Sequence, residues 1–124
     1  MTKNAIFWIR DDFRIEDNPA LSYASSNHLV VSALYIYDKL IFDGKREAQK
    51  WWLSRSLEEF EKDLDKYNIA LEILEGDPIS FFRKIRKNED ISIYWNKVYE
   101  PLELNKDKEL TKYFTENKIN FKSF

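Results

Sequence analysis

Charged side chains crowd one short segment that follows an apolar run and precedes a helix start. Six of the eight residues from 10 to 17 are charged, namely Arg10, Asp11, Asp12, Arg14, Glu16 and Asp17. Asn18 can cap a helix because its side-chain oxygen accepts a free helix N–H, and Pro19 suits the first helical position. The segment contains no glycine, so its backbone cannot fold tightly around a pyrophosphate as dinucleotide-binding turns do. Any ligand here must be held mainly by side chains.

These charged residues do not predict a catalytic or metal centre. Asp11 and Asp12 are adjacent, and adjacent side chains on an extended backbone point apart, so they make a poor general acid–base pair. The chain has no cysteine and one histidine, His28, which excludes thiolate chemistry, disulfides and histidine-based metal sites. We therefore expect no catalytic residue and no metal within the chain.

Length and charge indicate one domain without a strong electrostatic preference for nucleic acid. The 124 residues are a common size for a single domain. With 20 basic and 22 acidic side chains the net charge is −2, which gives no overall attraction to a phosphate backbone. No apolar run approaches the length of a membrane span, so we expect no membrane partner and a cytoplasmic location.

Hydrophobic periodicity predicts strands that alternate with helices, the pattern of an α/β protein with a parallel sheet. The predicted strands are short apolar runs near residues 5–9, 30–37, 69–74, 91–95 and 119–122. The predicted helices lie near residues 19–26, 46–67, 78–87 and 103–116. The second helix is the clearest, because five apolar residues recur at spacings of three and four: Leu53, Leu57, Phe60, Leu64 and Tyr67.

Three segments, in order along the chain, resemble the DNA photolyase and cryptochrome family. They are WIRDDFRIEDNPAL at residues 8–21, KWWLSRSL at 50–57 with EGDP at 75–78, and YWNKVYEP at 94–101. The resemblance implies the family's N-terminal α/β domain, a Rossmann-like, doubly wound, five-stranded parallel sheet of order 3-2-1-4-5 with helices on both faces. In such a sheet the crevice between the first and fourth strands is flanked by residues 10–18 and 96–102.

The resemblance also implies partners and cofactors. Complete family members are flavoproteins in which a helical domain holds FAD and the DNA lesion, and light drives repair of pyrimidine dimers, a carbon–carbon lyase reaction. We expect residues 1–124 to be the α/β domain alone, so the chain by itself should not repair DNA and would meet DNA only through the complete protein. The helical FAD-binding domain, in the same or a separate chain, is the expected partner. The α/β domain can hold an antenna chromophore, which is a reduced folate, a deazaflavin or a flavin.

Candidate chromophore residues are implied position by position. In members that use folate, a carboxylate beyond the Tyr-Glu-Pro stretch holds the pterin ring, and Glu103 occupies that position. In flavin-type members the chromophore lies near the first loop, the end of the second strand and the start of the second helix. The corresponding residues are Arg10, Tyr35, Ile36, Tyr37, Asp38 and Gln49. Leu102, Gln49 and Val98 depart from the family's pattern at these sites.

Structural roles are open for the same residues. Arg10, Asp12, Arg14 and Asp17 could form an ion-pair lattice that fixes the first loop. Glu103 could complement the dipole of the helix that it begins. Trp51 lies on the polar side of its helix, and we expect it to contact a chromophore or the helical domain.

Three functions therefore remain open: an antenna domain of a photolyase-like flavoprotein, a docking module without chromophore in a cryptochrome-like light sensor, and an unrelated small α/β nucleotide-binding protein. The glycine-free first loop argues against the third.

Overall fold

The computed structural model of the chain describes residues 4–10, 12–37, 39–84, 91–98 and 101–124. Its elements are β1 (Asn4–Trp8), α1 (Pro19–Asn27), β2 (Val30–Tyr37), α2 (Lys39–Asp43), α3 (Glu47–Asp65), β3 (Ala70–Glu75), α4 (Pro78–Phe82), β4 (Ile91–Trp95), α5 (Pro101–Glu116) and β5 (Asn120–Ser123). All strand pairs are parallel, and the sheet order is β3-β2-β1-β4-β5. The predicted fold class and strand order are thus confirmed. None of the helices within the described ranges is long and apolar enough to cross a membrane.

The alternation of side chains along the strands divides the core into two layers. Phe7 of β1 and Ile9, which directly follows the strand, belong to a cluster with α1 and α3. Trp8, between them in sequence, belongs to a second cluster with Phe82 of α4 and Phe114 of α5. Helices therefore cover both faces of the sheet, as a buried parallel sheet requires.

Two helix starts follow the predicted cap-and-proline chemistry. The Asn18 side chain accepts a hydrogen bond from the backbone N–H of Leu21 at 3.1 Å, and Pro19 is the first residue of α1. The Asp77 side chain accepts a bond from the N–H of Ile79 at 3.3 Å, and α4 begins at Pro78. Each cap satisfies one N–H that the first turn of the helix cannot pair.

Three predicted details differ from the structure. The short helix α2 was not predicted, because five residues are too few to show helical periodicity. Helix α4 ends at Phe82 with a turn after it, and residues 85–87 of the predicted helix lie outside the described residues. Tyr67 was placed on the apolar stripe, but its side chain is 63% exposed. The reason is that α3 ends at Asp65, and Asn68 adopts a left-handed φ of 59° that turns the chain toward β3.

The four tryptophans divide into a buried and an exposed pair. Trp8 and Trp95 are almost completely buried, and their ring centroids lie 5.5 Å apart. Trp51 and Trp52, on α3, are 64% and 57% exposed. The predicted exposure of Trp51 is confirmed.

Candidate functional site

A hydrogen-bonded network joins the loops at the carboxyl ends of β1 and β4. Asn96 follows β4, and its Nδ2 donates to Oδ2 of Asp12 and, at 2.8 Å, to Oδ1 of Asn18. The Oδ1 of Asn96 accepts a bond from the backbone N–H of Ala20 at 3.0 Å. Asn96 therefore connects β4 to the first loop and to the start of α1. The two loops meet here, as the predicted crevice requires.

Asp12 lies at the centre of this network, and its surroundings shift its pKa. Burial raises the pKa of Asp12 above its usual value, since the charged carboxylate loses water. The bonds from Asn96 and from the backbone N–H of Arg10, which lies 2.9 Å from Oδ1, act in the opposite direction and favour the carboxylate. Burial is the largest of these effects. Asp12 is thus a partly buried acid that its neighbours hold in place.

Arg14 closes the first loop on itself. Its Nε donates to the backbone carbonyls of Glu16 and Asp17 at 3.1 and 3.2 Å, and its Nη2 donates to the Asp17 carbonyl at 3.0 Å. Asp17 has a left-handed φ of 50°, and the Arg14 carbonyl accepts a bond from Nδ2 of Asn18 at 2.8 Å. These bonds hold a tight turn at residues 14–18 without glycine.

Arg10 makes a buried ion pair with a residue far away in the sequence. Its Nη1 lies 2.6 Å from Oδ1 of Asp107 in α5, and the two side chains are 6% and 10% exposed. The guanidinium also lies over the Trp8 ring, 4.0 Å from its centroid, in a cation–π contact. The Arg10–Asp107 pair and the Asn96 bonds thus tie the first loop to α5 and to the end of β4.

The predicted residues of β2 lie on opposite faces of the sheet. Tyr35 and Tyr37 line a pocket of about 320 Å³ between the sheet and α3, together with Phe42 of α2. Ile36 packs against the cluster on the other face, because neighbouring residues in a strand alternate sides. Of Tyr35, Ile36 and Tyr37, the two tyrosines therefore line the pocket.

The remaining candidates are dispersed. The Oε1 of Gln49 accepts a bond from the backbone N–H of Arg46 at 3.0 Å, which satisfies a free N–H at the start of α3. Glu103 lies in the first turn of α5, but its side chain is outside the described part of the molecule, as is Asp38. In the described ranges no three potential metal ligands cluster.

Sequence reasoning missed three residues that organise this end of the protein and its neighbouring face. In the sequence, Asn96 is one residue of the YWNKVYEP segment, and Asp107 is one of many charged residues in a polar helix. His28, between α1 and β2, is 9% exposed, and its Nε2 lies 2.6 Å from the hydroxyl of Tyr94. An acid in the first half of a polar helix gives no local signal of a buried partner 97 positions away.

Comparison with known proteins identifies the family. A family model described as DNA photolyase matches residues 5–124. The chain belongs to the DNA photolyase family. The third hypothesis, an unrelated nucleotide-binding protein, is therefore wrong.

Individual photolyase-family relatives match the whole chain but only a part of themselves. A deoxyribodipyrimidine photo-lyase of Agrobacterium fabrum is 31% identical over 124 residues, which are 99% of this chain and 26% of the relative. Cryptochrome-2 of Arabidopsis thaliana is 28% identical over 130 aligned positions, covering 100% of this chain and 21% of the relative. The chain thus spans about a quarter of the length of these photolyase-family relatives.

Solved photolyase structures agree with the fold. The bacterial class III photolyase from Agrobacterium tumefaciens superposes with a TM-score of 0.85 at 29% identity, over 100% of this chain and 26% of that chain. An archaeal photolyase from Sulfolobus tokodaii, solved with two FAD molecules and described as implying a novel light-harvesting cofactor, gives a TM-score of 0.85 at 30% identity. The superposition covers 98% of this chain and 29% of the Sulfolobus tokodaii chain. The chain has the α/β domain of this family.

Proposed function

We propose that residues 1–124 act as the antenna and docking domain of a photolyase-like flavoprotein. The observation that carries the proposal is the match of the entire fold to about a quarter of each relative. In the complete protein, a helical FAD-binding domain would carry the light-dependent repair of pyrimidine dimers and the contact with DNA. The proposal assigns no catalytic residue and no metal ligand to this chain.

A chromophore on this domain is supported by the Sulfolobus tokodaii relative and by the pocket beneath α3. That relative was solved with a second FAD molecule. In this chain Tyr35 and Tyr37 line one pocket with Phe42, and aromatic rings are suitable surfaces for a planar pterin or flavin. Glu103 would serve a folate, since a carboxylate accepts two hydrogen bonds from a pterin's amino and ring N–H groups.

Docking is supported by the exposed pair of tryptophans. Trp51 and Trp52 are both more than half exposed, and the Arg55 guanidinium lies 5.6 Å from the Trp51 ring centroid. Tryptophan and arginine are enriched at the energetic centres of protein interfaces. We propose that these rings contact the helical domain.

A docking module without chromophore is the second candidate, and specific contacts favour it. The Arg10 guanidinium contacts Asp107 and Trp8, and the Gln49 side-chain oxygen caps α3. Two residues implied for flavin-type binding thus already have structural roles in this chain.

Ligand titration tests the antenna function. The purified chain is titrated with a reduced folate, a deazaflavin and FMN, and the ligand's absorption and the protein's tryptophan fluorescence are followed. We expect saturable binding of one ligand that Tyr37→Leu weakens at least tenfold if the flavin-type site is used, or Glu103→Gln if the folate site is used. Tyr67→Leu is the matched control, because Tyr67 is an exposed tyrosine beyond the end of α3. Binding of none of the three contradicts the antenna function for the chain on its own.

Association with a helical domain tests docking. The chain is mixed with the helical FAD-binding part of the Agrobacterium photo-lyase, and binding is measured by calorimetry. Trp51→Ala should weaken association at least fivefold, whereas Tyr67→Ala should change it less than twofold. Equal effects of the two substitutions would contradict the proposed role of Trp51.

A further inference from the structure

The outer edge of β3 is free of strand pairing within the described residues. β3 pairs with β2 on one side, and no described strand pairs with its other edge. The N–H of Gly76 donates to the Tyr37 carbonyl at 2.8 Å. The backbone groups of Gly76 therefore face β2, and those of every second residue before it face the same way. The N–H and C=O groups of Leu71, Ile73 and Glu75 point away from β2, toward the open edge. Such a row of backbone groups is a template for another strand.

An apolar pocket lies directly beside this edge. Leu71 and Ile73 of β3 form one wall of the pocket of about 320 Å³, and Leu57 of α3 forms part of the other. Ile73 is 48% exposed, and none of the β3 residues is buried. A strand added to the edge would therefore find space for the stems of long side chains on the side facing α3.

Acidic side chains surround the pocket and the edge. Glu58 and Glu61 of α3 line the pocket, and Glu72 and Glu75 are exposed on β3. Among the described residues, none of these four carboxylates forms an ion pair. A second copy of the chain paired through β3 would bring like charges together, which disfavours self-association. Basic side chains would instead be attracted.

We propose that the edge of β3 binds a basic, extended segment of a partner protein by strand addition. The backbone of the segment pairs with the outward groups of Leu71, Ile73 and Glu75. Its arginine or lysine side chains lay their aliphatic stems in the pocket and place their charges beside Glu58 and Glu61. The surface is separate from α5, which carries the residue implied for folate. Its pocket is the one that Tyr35 and Tyr37 also line, so a partner segment and a flavin-type chromophore would exclude each other there.

A fluorescein-labelled peptide of sequence RVRVRVR is the probe, and its fluorescence anisotropy is followed on titration with the full chain at low salt. We expect saturable binding. Glu58→Lys with Glu61→Lys should weaken the affinity at least tenfold. The control pair, Glu16→Lys with Glu116→Lys, changes the net charge equally at exposed positions elsewhere and should weaken it less than threefold.

Backbone pairing is tested separately from charge. Ile73→Pro removes an outward N–H from an edge strand, where proline is tolerated, and should weaken binding at least tenfold. A peptide with the same side chains but N-methylated at alternate residues tests the same pairing on the unchanged protein, and it should also lose at least tenfold in affinity.

Four results would overturn the proposal. They are no binding of the unmodified peptide, equal binding of the N-methylated peptide, equal loss with the control charge pair, and a shift of the chain alone to a dimer in light scattering at the concentrations used. The second would show association by charge alone. The fourth, if Ile73→Pro abolishes the dimer, would show that a second copy occupies the edge.

Discussion

Asn96 should contribute more to stability than its half-buried position suggests. Its side chain makes three hydrogen bonds to three different parts of the chain: Asp12, Asn18 and the backbone of Ala20. A bond to a charged group contributes about 1.5–3 kcal/mol and a neutral one about 0.5–1.5 kcal/mol. Because water can reach part of the site, we take the lower half of the summed range. We expect Asn96→Ala to reduce the free energy of unfolding by about 3 kcal/mol.

Asn96→Asp is a sharper test of the same network. The substitution replaces the Nδ2 donor by an oxygen that faces the Asp12 carboxylate and the Asn18 oxygen, so two bonds become repulsive contacts. At pH 7 we expect Asn96→Asp to be less stable than Asn96→Ala by at least about 1 kcal/mol, since two adjacent carboxylates resist ionising together. The difference should shrink at pH 5, where the pair can share one proton.

Urea unfolding followed by circular dichroism measures these differences. Asn117→Ala is the control, because the Asn117 side chain makes one exposed bond to the Tyr113 carbonyl at 2.9 Å. We expect that control to cost less than about 0.5 kcal/mol. A loss below about 1 kcal/mol for Asn96→Ala, or equal stability of the two Asn96 variants at pH 7, would refute the role assigned to the network.

Other substitutions test the neighbouring contacts. Asp107→Ala removes the carboxylate beside the buried Arg10 guanidinium and should lower the free energy of unfolding in urea by about 3–5 kcal/mol. The double variant Arg10→Met, Asp107→Leu should recover much of this loss. A loss below about 1 kcal/mol for Asp107→Ala would contradict the role of the ion pair. Because the pKa of Asp12 is raised, the native state keeps the proton of this carboxyl to higher pH than the unfolded state does. Asp12 therefore lowers the free energy of unfolding as the pH rises above the pKa that the carboxyl has in the unfolded chain. The stability of the wild type relative to Asp12→Asn, measured from urea midpoints, should accordingly fall as the pH rises above 3.8, and a flat or rising difference would be inconsistent with the pKa shift. Gly76→Ala should cost about 1–3 kcal/mol by thermal unfolding, because Gly76 has a φ of 145° that alanine rarely adopts. No atom lies within 4 Å of the added Cβ, so a larger loss would point to a contact that the structure does not contain.

Local chemistry was sufficient to predict the strands and the longer helices of this fold, but not the five-residue helix α2. Strand β2 begins and ends where the apolar run does, at Val30 and Tyr37. The starts of α1 and α4 depend on a cap and a proline that are adjacent in sequence. These signals act within a few residues, so a single sequence displays them. The strand order, by contrast, followed from the family resemblance and not from periodicity.

The contacts that fix the first loop could not be predicted in the same way. Arg10 and Asp107 are 97 positions apart, and Asp12 and Asn96 are 84 positions apart. Each pair depends on which way α5 and the end of β4 face after the sheet has formed. The sequence shows charge in the loop, but it does not show which of those charges will be satisfied by distant partners and which will remain for a ligand.

The central position of β1 has a consequence for folding during synthesis. β1 pairs with β2 on one edge and with β4 on the other, and roughly 80 residues separate β1 from β4 in the sequence. At about 5–20 residues per second, the second partner leaves the ribosome roughly 4–16 s after the first strand. During that interval β1, β2 and β3 can assemble, but the apolar edge of Asn4–Trp8 is left open to other nascent chains. The Asn96 hydrogen bonds can form only after β4 has been synthesised, so they stabilise a sheet whose first three strands have already paired.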